Sequence, residues 1–364
     1  MRLAIVCSWL NQYGGAERVL EVVHDMYPQA PIYTSIYAPA ALPQRYRSWD
    51  IRPSFMNRLP FVKRKHQLYL PLYPLGFESL DLRGYDLVLS LTSAFAHGVI
   101  TSPEAQHICY CLTPARFLWN YHGYIEREGL GRVARWLLPP YLKSLRQWDR
   151  LAADRVDQFI AISRTVQQRI KKYYRREAQI IYPPVRTDIP LVHNQPEDFF
   201  LVVSRLIPYK RIDLAVRAFN SLGLPLRIIG DGRDRKALEA MARPNIRFLG
   251  YLPDEQVQEQ MARCRAFLFP GEEDFGLTPL EAMAAGRPVI AYGAGGALDY
   301  IEEGRTGLFF HQPTSEALAE AVEKLELYTF DPQFLRKQAQ RFDVAVFREQ
   351  LARTLGDASH SSYS

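Results

Sequence analysis

Short apolar runs, each followed by a turn signal and then by residues at helical spacing, recur along the chain. Leu3 to Trp9 is the first run; the Gly14-Gly15 turn follows, and Ala16, Val19, Leu20 and Val23 then fall on one helical face. Tyr85 to Leu91, His107 to Cys111 and Gln158 to Ser163 repeat the run, with room between them for crossover helices. This first half reads as doubly wound α/β. Ile181-Tyr182-Pro183-Pro184-Val185 closes it with adjacent prolines, and the polar stretch to Asp198 has little periodicity, as expected of a linker.

A second series starts at Phe199. Its expected strands are Phe199 to Ser204, Leu226 to Gly230, Ile246 to Leu249, Ala266 to Phe269, Val289 to Ala291 and Leu308 to Phe310. Such alternation implies a parallel sheet covered on both faces, with ligands outside the carboxyl ends of the strands. The expected fold is therefore two Rossmann-like doubly wound domains, residues 1–185 and 186–342, facing across a cleft. A last helix at about 343–358 is expected to pack back on the first domain.

Composition narrows the class. Among 364 residues 48% are apolar and 23% charged, the balance of a folded globular protein. No apolar run reaches the ~20 residues of a membrane span, and Met1-Arg2 leads straight into a strand pattern, so a cytosolic protein is expected. Cys7, Cys109 and Cys111 lie in apolar runs, and Cys109-Tyr110-Cys111 lacks a second ligand pair, so packing is expected of them rather than metal binding. Residues 1–190 carry 25 Lys and Arg against 15 Asp and Glu, a net +10, whereas the remainder is −4. The basic first half admits nucleic acid, anionic lipid or a polyphosphate as partner, or simply a solvated surface.

Two segments carry chemistry. In Phe269-Pro-Gly-Glu-Glu-Asp-Phe-Gly-Leu-Thr-Pro-Leu-Glu281 a strand ends in an acidic, glycine-containing loop and a helix begins near Thr278-Pro279. Glu273 and Glu281 flank loop amides that can meet an anion. For Glu281 a ligand-free alternative stands open, a capping box with Thr278 as cap; for Glu273 the alternative is a surface loop of three repelling carboxylates. Val203-Ser204-Arg205-Leu-Ile-Pro-Tyr-Lys210-Arg211 leaves another strand and enters a helix with Ile212, Ala215, Val216 and Phe219 inside. Lys210 and Arg211 sit where the helix dipole disfavours cations, which a diphosphate would offset, as Asp213 would in part.

With the N-terminal Gly-Gly-Ala-Glu-Arg loop, these segments resemble, in order and over nearly the whole chain, the retaining family 4 glycosyltransferases of the GT-B fold. Within that family they resemble bacterial mannosyltransferases of surface-polysaccharide assembly. The resemblance implies that Arg205 and Lys210 clamp the donor diphosphate, that Glu273 contacts sugar hydroxyls and that Glu281 binds the ribose. Backbone at Phe275, Gly276 and Leu277 would face the donor, with Gly14 and Gly15 doing so from the first domain. Asp299, after Gly295-Gly296, stands where relatives more often have Glu, and Arg116 in Thr113-Pro114-Ala115-Arg116 is a further candidate, open to a purely structural role. Leu112 occupies a position where relatives often carry His, and neither His107 nor His122 is assigned to replace it.

No Asp-x-Asp motif occurs, which suits a leaving group neutralised by Arg205 and Lys210; no cofactor or divalent metal is expected. The implied partners are a nucleotide diphosphate sugar, GDP-mannose before UDP-sugars, and a glycan or lipid-linked acceptor. Nucleic acid is not among them. Peripheral contact with anionic membrane is expected from Lys63-Arg64-Lys65, from Lys171, Lys172, Arg175 and Arg176, and from an amphipathic stretch Arg132 to Arg150, which equally fits a helix packed on its own domain. Other readings of the same residues are a sugar-nucleotide epimerase, a glycosidase using Glu273 and Glu281, and a non-catalytic binding module.

Overall fold

The computed structural model describes residues 2–120, 132–189 and 196–361, without the side chains of residues 132–140 and 358–361. The chain divides into two compact units, Met1–Pro184 with Phe347–Ser364, and Val185–Val346. Each is built on one parallel sheet.

The first sheet has seven strands: β1 Leu3–Cys7, β2 Ile32–Thr34, β3 Ile51–Pro53, β4 Leu87–Thr92, β5 Gln106–Cys111, β6 Gln158–Ala161 and β7 Ala178–Ile180, in the order β3-β2-β1-β4-β5-β6-β7. Every residue of β1 and β4 is buried, as both faces of a covered parallel sheet require. Pro53 is tolerated because β3 is an edge. The short β2 and β3 carry too few residues for an apolar run and are not legible as strands in the sequence. In the helix Gly15–Met26 the stripe Val19, Leu20, Val23 is buried, as its spacing predicts.

Helix Arg132–Ala152 buries Leu142 and Leu145 in the core, with Tyr141 and Trp148 packed against them. From Tyr141 on, the amphipathic stripe is thus a packing face of its own domain; the side chains of Val133 and Leu137, and His122 as well, lie outside the described residues. Helix Val344–Ser361 joins the first unit at Phe347, whose ring meets Tyr110 at 5.7 Å, and the Thr354 hydroxyl accepts from Gln179 Nε2 at 2.8 Å. All four cysteines are free and buried, and burial pushes the Cys7 and Cys264 thiols up to about 12, so they stay protonated.

The second sheet has six strands: β8 Phe200–Val203, β9 Leu226–Ile229, β10 Ile246–Gly250, β11 Ala266–Phe269, β12 Val289–Tyr292 and β13 Gly307–Phe310, ordered β10-β9-β8-β11-β12-β13. All six stand where the apolar runs place them, within a residue or so. Its core joins Phe200, Val202, Leu268 and Ile290 of the sheet to Ile212, Ala215, Val216 and Phe219 of helix Ile212–Leu222.

Candidate functional site

Strand order locates a binding crevice in the second unit. From β8 the chain steps out to β9 and β10 on one side, then returns to lay β11, β12 and β13 on the other. The connections leaving the adjacent strands β8 and β11 therefore depart in opposite directions and open a crevice at their carboxyl ends. One of these connections carries Arg205 to Lys210, and the other carries Gly271 to Leu277, with Glu273 among them.

The Lys210 ammonium pairs with the Glu273 carboxylate across this crevice, and the two side chains are only 13% and 18% exposed. Removing either from so dry a site leaves an uncompensated charge, so each holds the other in place. Arg205 is exposed, and its guanidinium donates to the Tyr209 hydroxyl at 3.3 Å; the Tyr209 ring lies 5.2 Å from the Lys210 ammonium. Tyr209 thus touches both cations. Arg211 behaves differently: it occupies the cap position of helix Ile212–Leu222 at φ +53° and pairs with Asp213 at 3.1 Å. Its charge is compensated locally, whereas that of Lys210 is met from another loop.

The three adjacent carboxylates do not share one environment. Glu272 is exposed, Glu273 meets Lys210, and Asp274 is buried. Two glycines hold this loop in place. A Cβ at Gly295 would strike the Glu273 carbonyl oxygen, and one at Gly296 would strike the Phe275 backbone. Gly296 N–H donates to Glu273 O at 2.8 Å, and the Tyr300 hydroxyl donates to Phe275 O at 3.1 Å. Burial, with the Glu273 and Asp299 charges nearby, holds the Tyr300 phenol well above its ordinary value, so it remains a donor. Asp299 ends the turn Gly295–Asp299 and is partly exposed.

Phe275 buries its ring against Tyr300 and Phe342, leaving only its backbone to serve a ligand. Gly276 sits at φ +93°, a conformation glycine adopts freely. The amides of Gly276 and Leu277 find no acceptor among the described residues, so two donors stand open on the loop that carries Glu273. The capping box weighed for Glu281 does not form: the helix is Thr278–Ala284, Leu277 holds the cap position, and no side chain caps it. Thr278 is already helical and cannot reach back. Glu281 remains in the first turn, partly exposed.

In the first unit the order reverses between β1 and β4, so the connections after those strands form the equivalent crevice. Ser8 stitches them, donating to Ala94 O at 2.9 Å and accepting from Ser93 N at 3.0 Å. Gly14 is extended at φ −172°, and a Cβ there would make only an ordinary contact with Glu17 at 3.5 Å, so the fold itself does not demand glycine. Gly15 is exposed and opens the helix Gly15–Met26. Arg116 opens the helix Arg116–Trp119 after β5 and is partly exposed.

His107 cannot stand in for the histidine missing at Leu112. It is fully buried on β5, bonded to Ser90 Oγ at 2.8 Å, and burial pushes it down to about 3, leaving it neutral. Tyr209, Tyr300, Gly295, Gly296 and Ser8 support these loops, a role that sequence reasoning misses. Tyr209 lies inside the Arg205-to-Lys210 segment and is legible there; Ser8 and Tyr300 carry no local pattern.

Residues 13–189 match the description Glycosyltransferase Family 4, and residues 187–342 match Glycosyl transferases group 1. A GDP-mannose-dependent alpha-mannosyltransferase of Mycolicibacterium smegmatis is 32% identical over 288 residues, 75% of this chain and 71% of that one. An uncharacterised glycosyltransferase of Methanocaldococcus jannaschii is 27% identical over 185 residues, 50% of this chain and 52% of that one. The crystal structure of Anabaena HepE in complex with UDP shares the fold, with a TM-score of 0.73 at 18% identity, covering 98% of this chain and 100% of that one.

Proposed function

Because the chain belongs to family 4 of the GT-B glycosyltransferases, we propose that it moves mannose from GDP-mannose to a lipid-linked or polysaccharide acceptor with retention at the anomeric carbon. The observation that carries the reading is the Lys210–Glu273 pair spanning the crevice between β8 and β11. A donor entering there exchanges partners with it. Lys210 and Arg205 take the diphosphate oxygens, the amides of Gly276 and Leu277 add neutral donors, and Glu273 accepts from sugar hydroxyls. Glu281 takes the ribose, and Phe275 contributes only backbone. Asp299 and Arg116 remain minor candidates, and the Gly14-Gly15 turn leaves room for a phosphate or sugar at the end of β1.

In the reaction the anomeric carbon–oxygen bond to the diphosphate breaks as the acceptor oxygen bonds to the same face of that carbon. The acceptor's proton passes to the departing phosphate oxygen. Charge growing on that oxygen meets cations already in place, the kind of preorganised stabilisation that supplies much of a barrier reduction. The two cations can do this without a divalent ion. The same reading puts the protein's work in the cytoplasm, at the inner membrane face, where nucleotide sugars and lipid-linked acceptors meet.

Thermal unfolding against a panel of nucleoside diphosphates and sugar nucleotides tests the donor. A ligand bound only by the native state raises the transition by mass action. GDP and GDP-mannose should raise it most, with mannose transferred when an acceptor is added. A larger shift with UDP-glucose would replace the donor, and conversion of the donor without acceptor would indicate an epimerase.

A further inference from the structure

We infer that the segment Phe55 to Phe77 of the first unit is a lipid-binding surface that docks on an anionic bilayer. The inference rests on the lipid-linked acceptor proposed above only for why the surface lies where it does. Residues 55–77 contain Arg58, Lys63, Arg64 and Lys65 and no carboxylate. All four cations are exposed, and none meets a carboxylate among the described residues. The same segment holds Phe61, Leu68 and Leu75 at 80%, 72% and 56% exposure, while Val62, Tyr73 and Phe77 anchor it in the core.

Phe61 is the clearest member. It stands at φ +55°, where a bulky side chain is disfavoured by about 1–3 kcal/mol. Neither the backbone nor the core gains from an aromatic ring at that position. A bilayer would reward it: apolar tips enter the acyl boundary while the neighbouring cations meet anionic headgroups. A second copy of the chain fits less well, because an isologous contact would bring these uncompensated cations together.

The other basic cluster is different. Lys171 pairs with Glu177 at 2.8 Å, and Arg176 donates to the backbone oxygens of Ala153, Val156 and Asp157. Lys171 is thus neutralised locally and Arg176 serves the fold, so the 55–77 segment is the better surface. It also lies next to the first unit's crevice. The His66 ring is 5.1 Å from that of Trp9, and Asn11 donates to Lys63 O at 3.3 Å, so the segment abuts the connection that leads from β1 to Gly14. A lipid-linked acceptor held by the bilayer would be delivered to that loop.

Cosedimentation of the full chain with vesicles tests the surface, using phosphatidylcholine alone and phosphatidylcholine mixed with phosphatidylglycerol. Wild type should sediment with the mixed vesicles, less so as salt rises. The K63Q/R64Q/K65Q variant should bind about a hundredfold more weakly at roughly fivefold per cation, and Phe61→Ser about tenfold more weakly. Circular dichroism identifies any misfolded variant, and the exposed Leu68→Ser gives a second, independent apolar change. Equal binding to neutral vesicles, no binding to either, or variants that match wild type would overturn the inference. Transfer to a water-soluble acceptor, read in the same preparations, should be unchanged in the variants. If wild type sediments as expected but transfers no sugar, the mannosyltransferase reading fails and the surface stands.

Discussion

Lys210→Ala lowers sugar transfer by about a hundred- to a thousandfold, the usual effect of removing one preorganised donor from a developing oxyanion. The loss should appear in both KM and kcat, because the ammonium meets the diphosphate of the bound donor and matters more as charge accumulates on its departing oxygen. Two effects add to it. The Glu273 carboxylate loses its partner in a mostly buried site, and the loops after β8 and β11 lose the contact that joins them. Glu273→Ala should therefore couple with Lys210→Ala: the double variant is less impaired than the two separate losses multiplied together. Steady-state kinetics of the four proteins, with thermal unfolding to separate folding from chemistry, gives the coupling. Purely multiplicative losses would mean that the pair does not act as a unit.

Gly296→Val abolishes most activity without touching any charged group. A Cβ there would strike the Phe275 Cα and the Asp274 carbonyl oxygen, which are backbone and cannot rotate away. The loop must move, taking with it the Glu273 oxygen that accepts from Gly296 N–H and the open amides of Gly276 and Leu277. Overpacking of this kind costs about 1–3 kcal/mol of stability, and displacement of the amides and Glu273 should cost more than about a hundredfold in rate, on the order of one lost transition-state donor. Melting temperature and kcat/KM measured on one preparation check both. A variant as active as wild type would show that the loop's position is not set by this glycine.

Much of the architecture is legible because a covered parallel sheet turns each strand into a short continuous apolar run. Leu3 to Cys7 and Ala266 to Phe269 are such runs, and nearly every run in the sequence is a strand in the fold. The exceptions have physical causes. Ile32–Thr34 and Ile51–Pro53 are too short to make a run, and their pairing is decided by neighbours distant in sequence. Capping at Thr278 misleads because local spacing cannot tell whether the helix starts one residue earlier, as it does with Leu277 at the cap.

At the site, residue types point to the two loops, and strand order places them side by side. What spacing cannot give is the partner: Arg211 is answered two residues away by Asp213, whereas Lys210 is answered by Glu273 from the neighbouring strand's loop. The packing of Gly295 and Gly296 on that loop is equally hidden, since a glycine pair after a strand carries no record of what it touches. The surface segment shows the reverse limit. Lys63-Arg64-Lys65 is visible as charge, but only the fold reveals that Phe61 and Leu68 beside it are left outside the core.

If Arg205 and Lys210 hold the donor diphosphate, calorimetric titration separates GDP from GMP by the contacts of that one additional phosphate. Each charge-assisted contact contributes about 1.5–3 kcal/mol, so wild type should prefer GDP over GMP by roughly a hundredfold or more, and R205A/K210A should bind the two nearly alike. A double variant that keeps the wild-type preference would place the diphosphate on other residues.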